Sequence, residues 1–337
     1  MPPRCAPSTV ELYGKLAVHL VRYLGKIRLR DLKAVHIQEM VNQLQVRGGA
    51  KREKHPQGRP LSAKWTHAVA SMLNTCLSDA VRLEHLAVNP MAGRRVKLPK
   101  RPKPKPGVLD SCMLAKLFGI AEGKRIYPLL VFAAASGARR DEQCALIWDD
   151  IDFETGTVTI SKSLEQTRKS GLRVKSTKSG EPRRIGLDEF VLEVLGEHRQ
   201  QQEEDKRNFG SEYQELGLVF CQPNGYYYSP NNVGCGTKEL LVKAGLKEFS
   251  LHSLRHSHAS VLLSNGVPIP VVSERLGHAD PTITLQIYSH AMPADRRGAA
   301  KAWRNALAEA IAEDRSRRST PKLEKVHQKP LKIAVND

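Results

Sequence analysis

The chain has 337 residues, enough for two domains that each bury a hydrophobic core, and its hydrophobic fraction of 40% is ordinary for a water-soluble protein. No apolar run approaches the roughly eighteen residues a membrane helix needs, and the opening "MPPRCAPSTV" lacks the apolar stretch of a secretory signal, so a cytoplasmic protein without membrane partners is expected. Lys and Arg number 53 against 35 acidic residues, a formal net charge of +18 with a pI near 9.7. Such an excess points to a polyanion, and to nucleic acid before anionic lipid, because no amphipathic membrane helix accompanies it.

In chain order, "VELYGKLAVHLVRYLG", "RDLKAVHIQEMVNQLQ" and "SAKWTHAVASMLNTCLSDAVRLEHL" carry apolar residues at three-to-four spacing and predict helices. Asp31 is the expected N-cap of the second, and Gly48-Gly49 lies just past its end. The intervening "RGGAKREKHPQGRPLS" is basic and rich in Gly and Pro, which predicts a mobile loop. Next comes "RRVKLPKRPKPKPG", Arg94 to Gly107, with seven basic residues, four prolines and no acid. Alternating Lys and Pro cannot form a helix or a central strand, so an extended linker is expected, its charge suited to a phosphate backbone. Lys97, Lys100, Arg101, Lys103 and Lys105 are the candidate DNA contacts there.

Beyond the linker, "DSCMLAKLFGIA" and "IYPLLVFAAASG" predict helices, the second apolar enough for the core. "GTVTISK", "LRVKSTK" and "EPRRIGL" are short, β-branched and partly alternating, with a Ser179-Gly180 turn expected between the last two. Helical patterns return at "DEFVLEVLGEHRQQQEEDKR". The fold class is therefore mainly α with a small antiparallel β-sheet (α+β), in two domains. The six cysteines, Cys5, Cys76, Cys112, Cys144, Cys221 and Cys235, form no C-x-x-C pair and read as free thiols.

Four motifs carry chemistry. "AAASGARRDEQCALIWDDIDF" breaks at Gly137 and places Arg139 at the start of a helix, where backbone N–H groups favour an anion. "TKSGEPRRIGL" follows, then "LHSLRHSHAS", then "RLGHADPTITLQIYSH". In the third, His252 and Arg255 share a helical face at i, i+3. His252 and His256 at i, i+4 could begin a zinc site, but that reading needs a third ligand and leaves Arg255 beside the metal. In the fourth, Asp280 and Pro281 have N-cap and first-turn chemistry, with Ile283 and Ile287 expected to pack inward. Tyr226, Tyr227 and Tyr228 lie in a turn flanked by Pro and Gly, apart from any such cluster.

These four motifs, in this order and spacing, resemble the tyrosine recombinase or phage integrase family, over about Ser8 to Arg297 and most strongly from Ile126 to His290. The resemblance implies a two-domain DNA clamp. A helical core-binding domain would span residues 1–97, a basic Pro-rich linker 98–108, a catalytic domain 109–315 and a flexible tail 316–337. It implies that Arg139 is the first catalytic arginine, Lys178 the lysine at the tip of a hairpin, His252 and Arg255 the H-x-x-R pair, His278 the later histidine and Tyr288 the nucleophile. Glu142 would support Arg139. His252 is the candidate proton acceptor for Tyr288 or a hydrogen-bonding stabiliser, and both roles stay open. Lys175 is the rival of Lys178, which fits the family spacing to "RRIGL" better. His256 and His258 are expected to pack or hydrogen-bond within the fold.

The chemistry suits these residue types. Arginine offers a planar, permanently charged fork to the non-bridging oxygens of a phosphodiester, and a lysine can also give up a proton. The implied function is site-specific DNA recombination, for integration or excision of a mobile element, through a 3′-phosphotyrosyl link that conserves bond energy. No metal or nucleotide cofactor is expected, and no G-x-x-x-x-G-K-[ST] motif occurs. The implied partners are double-stranded DNA, a homotetramer on paired sites and an accessory DNA-bending protein, with nucleoid association when DNA is bound. A type IB topoisomerase is one alternative. The other is a decayed DNA-binding protein, to which Asp141 lends some weight because small residues are usual there in the family. The core-binding pattern starts almost at residue 1, which suggests simple sites or a shortened ancestor. "ADRRGAAKAWRNALAEAIAEDR", Ala294 to Arg315, predicts a terminal helix that docks either in cis or on a neighbouring protomer.

Overall fold

The computed structural model describes residues 5–49, 58–101, 107–177 and 180–288, together with Arg304. Residues up to His290 form one compact unit, and the remainder, which includes the expected terminal helix, lies outside the described residues apart from Arg304. The unit is mainly helical with two small antiparallel sheets.

The first three helices are α1 (Pro7–Leu24), α2 (Ala34–Arg47) and α3 (Ala63–Arg82). Helix α2 buries Ile37, Met40, Val41 and Leu44, one stripe at i, i+3, i+4 and i+7, against Leu16 and Leu24 of α1 and Val69, Leu73 and Leu77 of α3. Each such side chain removed from water contributes roughly 1.5–3 kcal/mol, so this stripe holds the three helices together. Ser62 caps α3 by accepting from the Trp65 N–H at 3.4 Å. Asp31 does not cap α2. It ends a short 3-10 turn, Leu29–Asp31, and the residue preceding α2 is Lys33, whose N–H is accepted by His36 Nδ1 at 3.2 Å. Part of the loop expected to be mobile, residues 50–57, lies outside the described residues.

The start of the basic segment is attached to these helices. Val96 is buried among them, Lys97 exchanges two hydrogen bonds with the Gln38 side chain, and the Pro99 carbonyl meets His67 Nε2 at 2.9 Å. Residues 102–106 are not described, and the chain is anchored again at Leu109, fully buried, whose N–H donates to Ser257 Oγ at 2.6 Å.

From there the chain forms α4 (Ser111–Ala121), capped by Asp110, then α5 (Tyr127–Ser136) and the single turn α6 (Arg140–Gln143). Helix α5 is apolar on all sides and runs through the core. Strands β1 (Ile151–Asp152), β2 (Thr157–Ile160), β3 (Lys162–Thr167), β4 (Gly171–Ser176) and β5 (Arg183–Gly186) follow. They do not form the one sheet expected. β1, β2 and β5 make a three-stranded sheet, while β3 and β4 make a separate hairpin with Lys162 opposite Ser176 and Thr167 opposite Gly171. β4 and β5 are thus not partners, and the segment between them links two sheets rather than two strands of one hairpin.

Helices α7 (Glu189–Phe209), α8 (Pro230–Lys243), α9 (Leu251–Ser264), α10 (Ile269–Leu276) and α11 (Pro281–Tyr288) complete the unit. α9 packs along α5, and a small core of Ala259, Leu263, Val272, Leu276 and Tyr288 joins α9, α10 and α11. Asp280 caps α11 through the Thr282 N–H at 2.8 Å. The inward residues of α11 are Thr284, Ile287 and Tyr288, spaced i, i+3 and i+4. Ile283, expected inside, is 41% exposed, since it lies at the edge of that stripe, roughly 90° of helix from its centre.

Candidate active site

Gly137 ends α5 in the left-handed region (φ 63°), and this reversal brings Arg139 in front of α6. Glu142, only 2% exposed, is the centre of the corner that results. Its carboxylate accepts from the Arg139 backbone N–H and Nη1, both at 2.8 Å, and from Arg183 Nη1 and Nη2 at 3.2 and 2.6 Å. Burial would raise its pKa, but the hydrogen bonds and charges of Arg183 and Arg139 outweigh that and hold it below the ordinary value. The expected anion site at the helix start is therefore occupied from within, since Glu142 itself takes the Arg139 N–H of a one-turn helix.

The guanidinium groups are held in place by backbone carbonyls. Arg139 Nη2 donates to the Gly277 carbonyl at 2.8 Å. Arg255, 3% exposed on α9, donates to the Gly137 carbonyl at 2.6 Å and the Leu276 carbonyl at 2.7 Å. Arg183 Nε donates to the Arg275 carbonyl at 2.9 Å. Arg275 in turn donates to the Ala135 and Gly186 carbonyls and to His258 Nε2, which fixes His258 as the neutral Nδ1–H form donating to the Ala134 carbonyl. Burial, then the nearby Arg139 cation, pulls the Arg255 pKa down to about 9, which still leaves it cationic at neutral pH. Gly277 (φ 66°) is glycine for a second reason, since a Cβ there would lie 2.9 Å from Arg183 Nη1.

Tyr288 is 1% exposed, and its hydroxyl lies 2.6 Å from His256 Nδ1. Burial pushes the phenol up to about 12, with Arg255 opposing, while burial, His252 and Arg255 push His256 down to about 4. The imidazole is thus neutral, and in its Nε2–H tautomer Nδ1 accepts the phenolic proton in a hydrogen bond. The His252 ring stands edge-on to His256 with centroids 4.6 Å apart, at the exposed end of the pair, and desolvation with Arg255 and Arg139 lowers its pKa. His278 Nδ1 lies 2.8 Å from the buried Thr284 Oγ1, and burial with the Arg255, Arg139 and Arg183 charges takes its pKa to about 4. His252 opens onto a hollow that it shares with Arg139, Arg140, Asp141 and Ser250. Asp141 pairs with its neighbour Arg140 at 2.9 Å, and both side chains are partly exposed.

Arg139, Glu142, His252, Arg255, His278 and Tyr288 are thus brought to one corner from α5–α6, α9 and the α10–α11 segment. Lys178 lies outside the described residues, as do Lys103 and Lys105. Lys97, Lys100 and Arg101 are exposed at the edge of the helical bundle. Lys175, the rival of Lys178, is engaged on β4 with Glu165 at 2.8 Å. The same carboxylate accepts from Ser8 Oγ at 2.5 Å, and Glu11 accepts from the Arg168 N–H at 3.0 Å, so α1 rests on the β3–β4 hairpin. Sequence reasoning missed Arg183, although the alternation of "RRIGL" puts Arg183 and Ile185 on one buried face. It also gave Tyr288 to His252 as the possible acceptor, whereas the hydroxyl sits on His256.

Among the described residues no group of three His, Cys, Asp or Glu side chains converges as metal ligands would, and no helix is long and apolar enough to cross a membrane. The phage integrase family profile matches residues 109–295. A tyrosine recombinase XerC-like protein of Caldanaerobacter subterraneus subsp. tengcongensis is 29% identical over 289 residues, covering 81% of this chain and 71% of the relative. A tyrosine recombinase XerC of Xylella fastidiosa is 31% identical over 237 residues, covering 69% and 71%. In fold, the chain is similar to the Tn1549 transposon integrase in complex with transposon right end DNA, at a TM-score of 0.71 with 19% identity over 91% of this chain and 95% of that one. It is also similar to a lambda integrase tetramer bound to a Holliday junction, at 0.59 with 18% identity over 82% and 73%. These likenesses favour neither a topoisomerase nor a decayed binding protein. The chain belongs to the phage integrase family and is a tyrosine-type site-specific DNA recombinase.

Proposed function

We propose that Tyr288 attacks the scissile phosphate to give a 3′-phosphotyrosyl link and a free 5′-hydroxyl, and that a partner strand's hydroxyl reverses the step. The observation that carries this reading is the convergence of Arg139 and Arg255, two guanidinium groups 116 positions apart, beside a buried tyrosine hydroxyl. Arg139 and Arg255 clamp the non-bridging oxygens and stabilise the charge that develops on them. His252, on the open side of the corner, stabilises the same phosphate. His278 donates through Nε2, which requires its Nδ1 to accept from the Thr284 hydroxyl. Lys178 protonates the departing 5′-oxygen, a role that Lys175, paired with Glu165, is less suited to fill.

The helices of residues 1–97 close on the duplex opposite the 109–315 domain, joined by the basic linker, whose Lys97, Lys100, Arg101, Lys103 and Lys105 follow the phosphate backbone. The working assembly is a tetramer on paired DNA sites, aided by a DNA-bending protein, and the residues from Ala294 couple protomers. The likeness in fold to a lambda integrase tetramer on a Holliday junction supports this. The test is a covalent-adduct assay on nicked duplex carrying the attachment site recovered from DNA flanking the coding region. The wild type should form the adduct and Tyr288→Phe should lose it while binding DNA nearly as well. An undiminished adduct in Tyr288→Phe would show that another residue attacks.

A further inference from the structure

The nucleophile's hydroxyl touches an imidazole to which the roles above give no task. His256 follows Arg255 directly and lies one helical turn beyond His252, so α9 presents His252, Arg255 and His256 on one side at i, i+3 and i+4. Only His256 reaches Tyr288, at 2.6 Å through Nδ1, within the distance a general base needs. We propose that His256 is the immediate proton acceptor of Tyr288 and that His252 serves the phosphate instead; this rests on Tyr288 being the nucleophile.

The step balances without any further reactant. The Tyr288 oxygen forms its bond to phosphorus, its proton passes to His256 Nδ1, the bond from phosphorus to the 5′-oxygen breaks, and that oxygen takes a proton from the general acid. In rejoining, a 5′-hydroxyl gives its proton to the conjugate base of that general acid as it attacks the phosphotyrosine, and the imidazolium returns its proton to the leaving phenolate. Without DNA the transfer is strongly uphill, because Tyr288 is held up to about 12 and His256 down to about 4. Burial is the first cause of that low value, followed by His252 and then the Arg255 cation. A phosphodiester anion seated on Arg139 and Arg255 offsets the last of these, so the base is stronger with substrate in place than without it. Nucleophile activation is thereby coupled to occupancy of the clamp.

Single-turnover cleavage of the nicked site by the full chain tests this, using His256→Ala and His256→Asn, with binding followed by gel shift. An asparagine oxygen can accept the phenol's hydrogen bond but cannot carry its proton away. Both variants should bind DNA and cleave roughly 100-fold or more slowly. With 3,5-difluorotyrosine at position 288, whose phenol is more acidic, the deficit of both variants should shrink at least about tenfold. Near-normal cleavage by His256→Asn would reduce His256 to a positioning residue and overturn the proposal. So would a deficit that is equal with tyrosine and difluorotyrosine, or a wild-type rate in His256→Ala. Failure of the underlying reading looks different, since Tyr288→Phe would then still form the adduct whatever His256 does.

Discussion

The corner around Glu142 and the contact between α1 and the β3–β4 hairpin are both built on a buried carboxylate, yet they are anchored very differently. Glu142 receives two arginines that are themselves fixed by the Gly277 and Arg275 carbonyls, all inside the protein. Glu165 receives one half-exposed lysine and the hydroxyl of Ser8, an exposed residue at the start of α1. The contrast teaches where rigidity is needed. On the function proposed above, an arginine that meets a phosphate in one geometry is held before it arrives, whereas an arm that closes on a duplex would have to let go. Few, solvated polar bonds allow that at small cost.

Removing Glu142 should break the contrast most severely. Glu142→Ala leaves Arg183, 7% exposed, without its counter-ion and should lower unfolding free energy by roughly 3–5 kcal/mol in urea titration. A loss below about 1 kcal/mol would mean that the carbonyls alone hold the corner. Acid should distinguish the two regions next. His256, His258 and His278 have folded pKa values of about 4 against an ordinary 6.5, so the unfolded state binds more protons in that window. The stability they confer is complete above about pH 6.5 and is lost as pH falls toward about 4. Glu142 and Glu165, both lowered, add losses only below their ordinary value of 4.5. Urea midpoints that stay flat between about pH 6.5 and 4.5 would contradict the histidine burial. The smallest effect belongs to the arm: Ser8→Ala should change stability by less than about 1 kcal/mol. It should nonetheless raise the rate at which DNA enters the cleft in stopped-flow binding. An unchanged entry rate would mean that this contact does not gate the duplex.

The two regions also differ in how far they could be read from the chain. Arg139, Glu142, His252, Arg255 and Tyr288 stood out because four motifs, in their order and spacing, resemble the tyrosine recombinase family, and their residue types suit a phosphodiester. Helices α2 and α3 stood out because their apolar stripes have a clear period. Strand β3 was invisible for a physical reason: its buried positions include Ser163, Glu165 and Thr167, so polar partners rather than hydrophobic alternation account for its burial. The false hairpin of β4 with β5 followed from that omission, since β4 needed an antiparallel partner and β5 was the nearest visible strand. Arg183 was hidden by its twin, because two adjacent arginines look alike until the strand assigns one to each face. His256 was hidden in the same way, among imidazoles that only the third dimension separates.

Gly137 and Gly277 give the site an unusual kind of robustness. Each contributes a carbonyl that grips an arginine, Gly137 on Arg255 and Gly277 on Arg139, and each lies in the left-handed region just after a helix. A peptide oxygen is common to every residue, so no exchange of side-chain chemistry can delete these two acceptors. What drift can damage is the torsion that aims them. Variation among descendants of this chain should therefore be tolerated freely at the tips of the surrounding loops and almost nowhere at these two positions, where an added methyl would also meet His258 or Arg183. The vulnerability of the catalytic corner is, in this sense, a matter of backbone inheritance more than of its conspicuous charged groups.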